Sequence, residues 1–288
     1  MTHGLESLLS EYDLITEEDW ENALKEIVQH LALLGLWRSK FYEHAAFYGG
    51  TALRIFHGLR RFSEDTDFSL IRKNPDFNLQ LHLTAIRSEL EAFGFSFEIE
   101  KKQKKTVSPI ESAFIKGNTV KNLLIIRATP EITGRFPKNK KIKIKFELDT
   151  DPPGKAVYEV RTVLKPVPFQ VKIFSPPDLF AGKLHAVLCR EWKTRVKGRD
   201  YYDMIWYLGK KTPCHLDHLK ERMVQTGHIQ PDHVLDRDGL LSLLYSRFEM
   251  TDFHIAKEDV RPFIRDQQEL DLWDRDFFFE IIKDIDIC

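Results

Sequence analysis

Cysteine is scarce in this chain. Three occur among 288 residues, Cys189, Cys214 and Cys288, odd in number and widely spaced. That pattern argues against a disulfide framework and predicts a reducing, cytoplasmic setting. Long apolar runs are missing too. None approaches the roughly 18 to 20 residues a bilayer crossing needs, so no membrane partner is expected. Met1 to Glu11 lacks the basic and apolar regions of a signal peptide. There is no internal repeat, no low-complexity segment and no Gly-x-x-x-x-Gly-Lys-Ser/Thr run, which sets aside a P-loop kinase or GTPase.

A net excess of either charge is lacking as well, the formal net charge being -1. The near-balance conceals an asymmetry. From Lys101 to Lys145 thirteen Lys or Arg stand against two acids, Glu111 and Glu131, whereas from Pro262 to Cys288 eight acids stand against three bases. The basic segment suits a polyanion; on charge alone it suits a solvated sheet edge equally well.

What is present is ordinary for a folded protein, with 42% hydrophobic, 12% aromatic and 30% charged residues. The length allows one large domain or two modest ones. Thr16 followed by Glu17, Glu18 and Asp19 predicts a helix start, and Trp20, Leu24, Ile27, Leu31 and Leu34 continue it to Trp37 at helical spacing. A short helix is expected over Thr51 to His57 after the Gly49-Gly50 turn, and another over Leu79 to Phe93, closed by Gly94. Asp65 to Ile71, Phe95 to Ile99, Asn122 to Arg127 and Lys141 to Thr150 read as strands. Beyond Pro176-Pro177 the pattern is helical: Pro177 to Arg190, Arg199 to Leu208, Leu216 to Gln225 and further helices after them. The expected layout is an α/β domain over 1–175, with an N-terminal helix, and a mainly helical domain over 176–288.

Chemistry concentrates between Gly49 and Asp67. Asp65 and Asp67 lie two apart on a strand and therefore point the same way, about 6 to 7 Å apart at Cα. That spacing suits Mg²⁺, which prefers hard oxygen ligands and is often shared with substrate phosphates. Aspartate is disfavoured in strands, so the pair needs a reason, although taken alone it reads first as a polar sheet face with a capping aspartate. Gly49 and Gly50 open a helix and offer backbone N–H groups to a triphosphate, with the Thr51 hydroxyl beside them. Other suggestive residues carry less. Cys214, His215 and His218 lack a fourth ligand at zinc-site spacing, His185 reads as a packed core residue, and Phe277 to Phe279 as core or an oligomer contact.

Gly49-Gly50-Thr51 followed by Asp65-Thr66-Asp67 resembles the signature of the polymerase-β-like nucleotidyltransferase superfamily. More narrowly, Gly49 to Leu53 with Arg61 to Phe68, Pro177 to Ala186 around Lys183, and Lys197 to Asp203 resemble three motifs of the AbiEii/AbiGii toxin family, in order over roughly residues 45 to 207. The resemblance implies an α+β (mixed α/β) fold: a polymerase-β-like core with a mixed sheet, then a helical C-terminal domain completing the cleft. It implies Asp65 and Asp67 as catalytic metal ligands, joined by a third carboxylate from the Glu147/Asp149 strand, with Glu147 preferred. It assigns Lys183 and Asp203 to catalysis, and Gly49, Gly50, Thr51, Ser63 and Arg199 to the nucleotide. The implied cofactor is Mg²⁺, with Mn²⁺ as an alternative, and the implied substrate a nucleoside triphosphate. The implied acceptor is RNA, at the 3′ end of tRNA, and the implied context a toxin with a cognate antitoxin. A protein or small-molecule acceptor such as an aminoglycoside, and an inactive binding module with the same fold, stay open from sequence.

Overall fold

The computed structural model describes residues 3–101, 119–128, 141–190 and 196–288. Most of the basic segment, 102–118 and 129–140, lies outside these. Thr16 caps the long helix as its acids predict. Its hydroxyl accepts from the Asp19 N–H while the Asp19 carboxylate accepts from the Thr16 N–H at 2.9 Å, a reciprocal cap. Two helices open the chain, α1 (His3–Leu9) and α2 (Glu17–Arg38), followed by β1 (Ala45–Tyr48), α3 (Gly49–His57), β2 (Asp65–Leu70) and α4 (Gln80–Ala92). Five further strands are β3 (Phe95–Lys101), β4 (Thr119–Ala128), β5 (Lys141–Asp149), β6 (Tyr158–Val163) and β7 (Phe169–Phe174).

Together these strands form a seven-stranded mixed sheet in the order β3-β4-β5-β2-β1-β7-β6. β2 lies at its centre, antiparallel to β1 and parallel to β5. Alternation gives these strands two chemically different faces. On one, Phe68 stacks between Phe47 of β1 (4.9 Å between ring centroids) and Phe146 of β5 (4.8 Å), and α2 covers this face. On the other stand Asp65, Asp67 and Glu147. A one-residue slip of β2 would bury Asp67 among phenylalanines, so the stacked rings also fix where the carboxylates point.

After β7 the chain turns helical. α5 (Pro176–Cys189) starts at Ser175, whose hydroxyl caps Asp178, and α6 (Gly198–Gly209) follows. Then come α7 (Leu216–Gln225), α8 (Arg237–Glu249), α9 (Phe253–Val260) and α10 (Arg275–Ile281). A Cβ at Gly198 would strike the Ala256 carbonyl of α9, so glycine there lets the start of α6 press onto α9. A second apolar cluster, built around Phe180, Tyr201, Tyr207, Phe248 and Phe278, fills this part and takes in Ala46, Leu53 and Phe174 from the sheet side. The helices thus pack on β1 and α3, which sets a cleft between α5, α6 and the polar face of β2.

Candidate active site

A cavity of about 330 Å³ occupies that cleft. Its sheet side carries Asp65, Asp67, Glu147 and Asp149. Parallel pairing puts Asp67 directly opposite Glu147, and Asp149 opposite Ser69 two residues further along. Asp149 accepts the Asp151 N–H at 2.9 Å, whereas Glu147 sits beside the acidic pair. Asp65 meets Lys145 at 3.2 Å. Burial pushes the Asp67 carboxyl up to about 7, and the neighbouring charges of Asp65 and Glu147 add to the rise. Three hard carboxylates gathered at one end of a cavity form a donor set that suits a divalent cation.

The glycine turn backs onto this set. Gly49 has φ +82, and a Cβ there would collide with an Asp67 carboxylate oxygen. A Cβ at Gly50 would meet Arg61 Nη2 at 2.5 Å and Ser63 Oγ at 3.0 Å. Only glycine lets the N-terminus of α3 lie this close to both groups, and its first-turn N–H groups carry the positive end of the helix dipole. Thr51 is placed differently from expectation. Its side chain is buried beneath the turn, where its hydroxyl bonds the Asp65 carbonyl and Ser63 Oγ (2.9 Å), so it ties turn to strand and does not line the cavity.

The helical side is cationic and internally paired. Lys183 of α5 reaches Asp200 at 2.8 Å and Asp203 at 2.7 Å. Asp203, fully buried, also receives Arg61 through two bonds, Nε at 2.5 Å and Nη2 at 2.6 Å. Asp200 binds Arg190 at 2.7 Å. Burial would raise both aspartates, but Arg190, Lys183 and Lys197 around Asp200, and Arg61 and Lys183 around Asp203, outweigh it and hold both below the usual carboxylate range. Asp203 therefore acts through Lys183 and Arg61 and does not itself reach the cavity. Arg199 lies over the Phe263 ring at 4.1 Å and lines the cavity, its buried Nε without a hydrogen-bond partner among the described residues.

The structure thus brings Gly49, Gly50, Ser63, Asp65, Asp67, Glu147, Lys183 and Arg199 to one cavity, and leaves Thr51 and Asp203 behind its walls. Sequence reasoning missed Arg61, whose partner lies 142 residues away, and Lys197, which lines the cavity and which burial pulls down to about 8. Both open motifs that the sequence offered, Arg61 to Phe68 and Lys197 to Asp203, but no periodicity singled them out within these. His185, read as packed, is buried yet also lines the cavity. His215 meets Asp178 and His218 the Gly154 carbonyl, both at 2.8 Å, and His218 also meets Arg222 at 3.5 Å.

A family model described as nucleotidyl transferase AbiEii toxin, type IV TA system, matches residues 31–281. Among solved structures, the crystal structure of JHP933 from Helicobacter pylori aligns with a TM-score of 0.53 at 18% identity, over 91% of this chain and 90% of that one. A nucleotidyltransferase candidate from H. pylori aligns with a TM-score of 0.49 at 20% identity, over 90% and 92%. At such identities the first likeness bears on the fold, and the second adds no argument. No curated protein matches the chain.

Proposed function

The chain belongs to the AbiEii nucleotidyl transferase toxin family, and from that premise we propose that it moves a nucleoside monophosphate from a triphosphate to an RNA hydroxyl, at the 3′ end of tRNA. The observation that carries this reading is the facing of a carboxylate cluster, Asp65, Asp67 and Glu147, by a cationic wall across one cavity. In this reading residues 1–175 supply the metal and nucleotide side, and 176–288 complete the cleft.

Asp65, Asp67 and Glu147 would hold Mg²⁺, or Mn²⁺, which would neutralise charge on the triphosphate and leaving pyrophosphate. Gly49 and Gly50 offer N–H groups to the phosphates, and Ser63 a hydroxyl. Lys183, Lys197 and Arg199 balance the phosphate charge from the opposite side, with Asp200 and Asp203 fixing where Lys183 points. The acceptor oxygen attacks the α-phosphorus, the α–β anhydride bond breaks, pyrophosphate leaves, and the hydroxyl proton passes to Glu147. The basic 101–145 segment supports an RNA acceptor, because RNA affinity rests largely on phosphate neutralisation. Transfer of this kind would stop translation, with a cognate antitoxin to restrain it.

The test is incubation with each α-labelled NTP, Mg²⁺ and total tRNA, beside Asp65→Ala/Asp67→Ala. The expected result is label in RNase-sensitive material with the wild type alone. Label on an RNase-resistant acceptor would overturn the RNA assignment. No label from any NTP with either ion would overturn the mechanism.

A further inference from the structure

Behind the cationic wall, three side chains that the transfer mechanism leaves unused come together. His185 and Cys189 stand four residues apart on α5, one turn from each other on one face. His228 arrives from the end of α7. There Thr226 is the helix cap and Gly227 takes φ +76. The Gly227 N–H donates to the Val224 carbonyl (3.0 Å), and the His228 N–H donates to the Met223 carbonyl (2.9 Å). This pair of bonds is the Schellman closure, so a fixed backbone turn delivers His228. One ligand atom from each of the three residues lies within 4.8 Å of the other two.

The Thr226 hydroxyl sits between the rings, 3.0 Å from His185 Nε2 and 2.8 Å from His228 Nδ1. It also reaches the Arg222 carbonyl at 3.0 Å and the Met223 carbonyl at 3.3 Å, so the turn that ends α7 holds both rings beside α5. Hydrogen bonds of this kind orient metal-binding histidines.

We propose that His185, Cys189 and His228 form a second cation site, selective for a borderline-soft divalent ion such as zinc, which staples α5 to the end of α7. Two imidazoles and a thiolate match zinc and not magnesium. Zinc bonds of about 2.0–2.3 Å place tetrahedral ligands roughly 3.4–3.8 Å apart, so closure asks for a shift of about 1 Å. His228 is exposed and the two α5 ligands are buried, so the exposed ligand can make it. On binding, the Cys189 S–H gives its proton to solvent and the sulfur bonds the ion. His185 and Thr226 line the nucleotide cavity, so the staple fixes the wall that carries Lys183.

Cobalt(II) tests this without any activity assay, and independently of the transferase reading. The chelator-stripped full-length protein is titrated with Co²⁺ and followed by the thiolate-to-cobalt charge-transfer absorbance. One ion per chain with that band is expected, displaced by Zn²⁺ and absent in Cys189→Ser. His228→Ala, a surface change, should weaken binding about tenfold or more. Cys288→Ser and Asp65→Ala/Asp67→Ala should leave the band unchanged. No band in the wild type, a band that survives Cys189→Ser or vanishes in Cys288→Ser, or unaltered affinity in a folded His228→Ala protein would each overturn the site.

Discussion

Two pairs of aspartates define the two sides of the cleft, and the surroundings push Asp67 on one side and Asp200 and Asp203 on the other in opposite directions. Asp67, beside Asp65 on the sheet, is raised to about 7 by burial and by its acidic neighbours. Asp200 and Asp203, on the helices, are held low by Arg190, Lys183 and Arg61 despite their burial. Linkage gives the two sides opposite signs. The native protein holds the Asp67 proton more tightly than the unfolded chain does, so this group costs stability as pH rises from about 4 towards 7. Asp200 and Asp203 contribute stability above their unfolded values near 4 and lose it as pH falls below. The sheet side thus carries a carboxylate that burial and like charge penalise, whereas the helical side pairs its buried aspartates with cations. Asp67 costs stability near neutral pH, and Asp200 and Asp203 contribute it.

The contrast can be broken most directly at Asp67. Asp67→Asn should lower transfer about 10³-fold while leaving the thermal midpoint equal or higher, because it removes repulsion. A clear fall in that midpoint would mean the sheet side is structurally satisfied after all. Asp203→Asn should do the reverse in kind. It strands Arg61 beside a neutral group, leaves Lys183 to Asp200, and should cost about 3–5 kcal/mol in urea unfolding; a loss under about 1 kcal/mol would show the helical network to be dispensable.

Smaller effects sharpen the picture. Gly49→Ala forces an L-residue to φ +82 and places a methyl on Asp67. It should cost about 1–3 kcal/mol of stability and raise the KM for the NTP, and a wild-type KM would move the phosphate cradle elsewhere. Lys197 should give the mildest signature. It loses its charge above about pH 8, so the wild-type KM for the NTP should climb roughly tenfold per pH unit beyond that point. Lys197→Arg, which stays charged, should flatten that limb up to pH 9 or so, and an unchanged profile would remove Lys197 from the phosphate site.

Much of the sheet side was legible in the sequence because its physics is local. Alternation in 65–71 and 141–150, and the glycine pair before the first of these, needed no distant partner to be read. β1 escaped because Ala45, Ala46 and Phe47 are buried on both faces, which erases the period of two. β6 escaped because its half-exposed residues carry little apolar signal. The helical side was legible as motifs but not as a network. Nothing within a turn of Arg61 announces that its guanidinium is spoken for by Asp203, and Thr51 in a glycine turn looks the same whether its hydroxyl faces a phosphate or the Asp65 carbonyl.

The Arg61–Asp203 pair has a consequence in time. The ribosome makes Arg61 142 residues before its counter-charge, an interval on the order of ten seconds at typical elongation rates. Throughout it the acidic strand and the glycine turn already exist, while the wall that would face them is still unwritten. A chain that ends before Lys183 therefore carries the acidic strand and the glycine turn with no cationic wall opposite them, and Arg61 with no Asp203 to hold it.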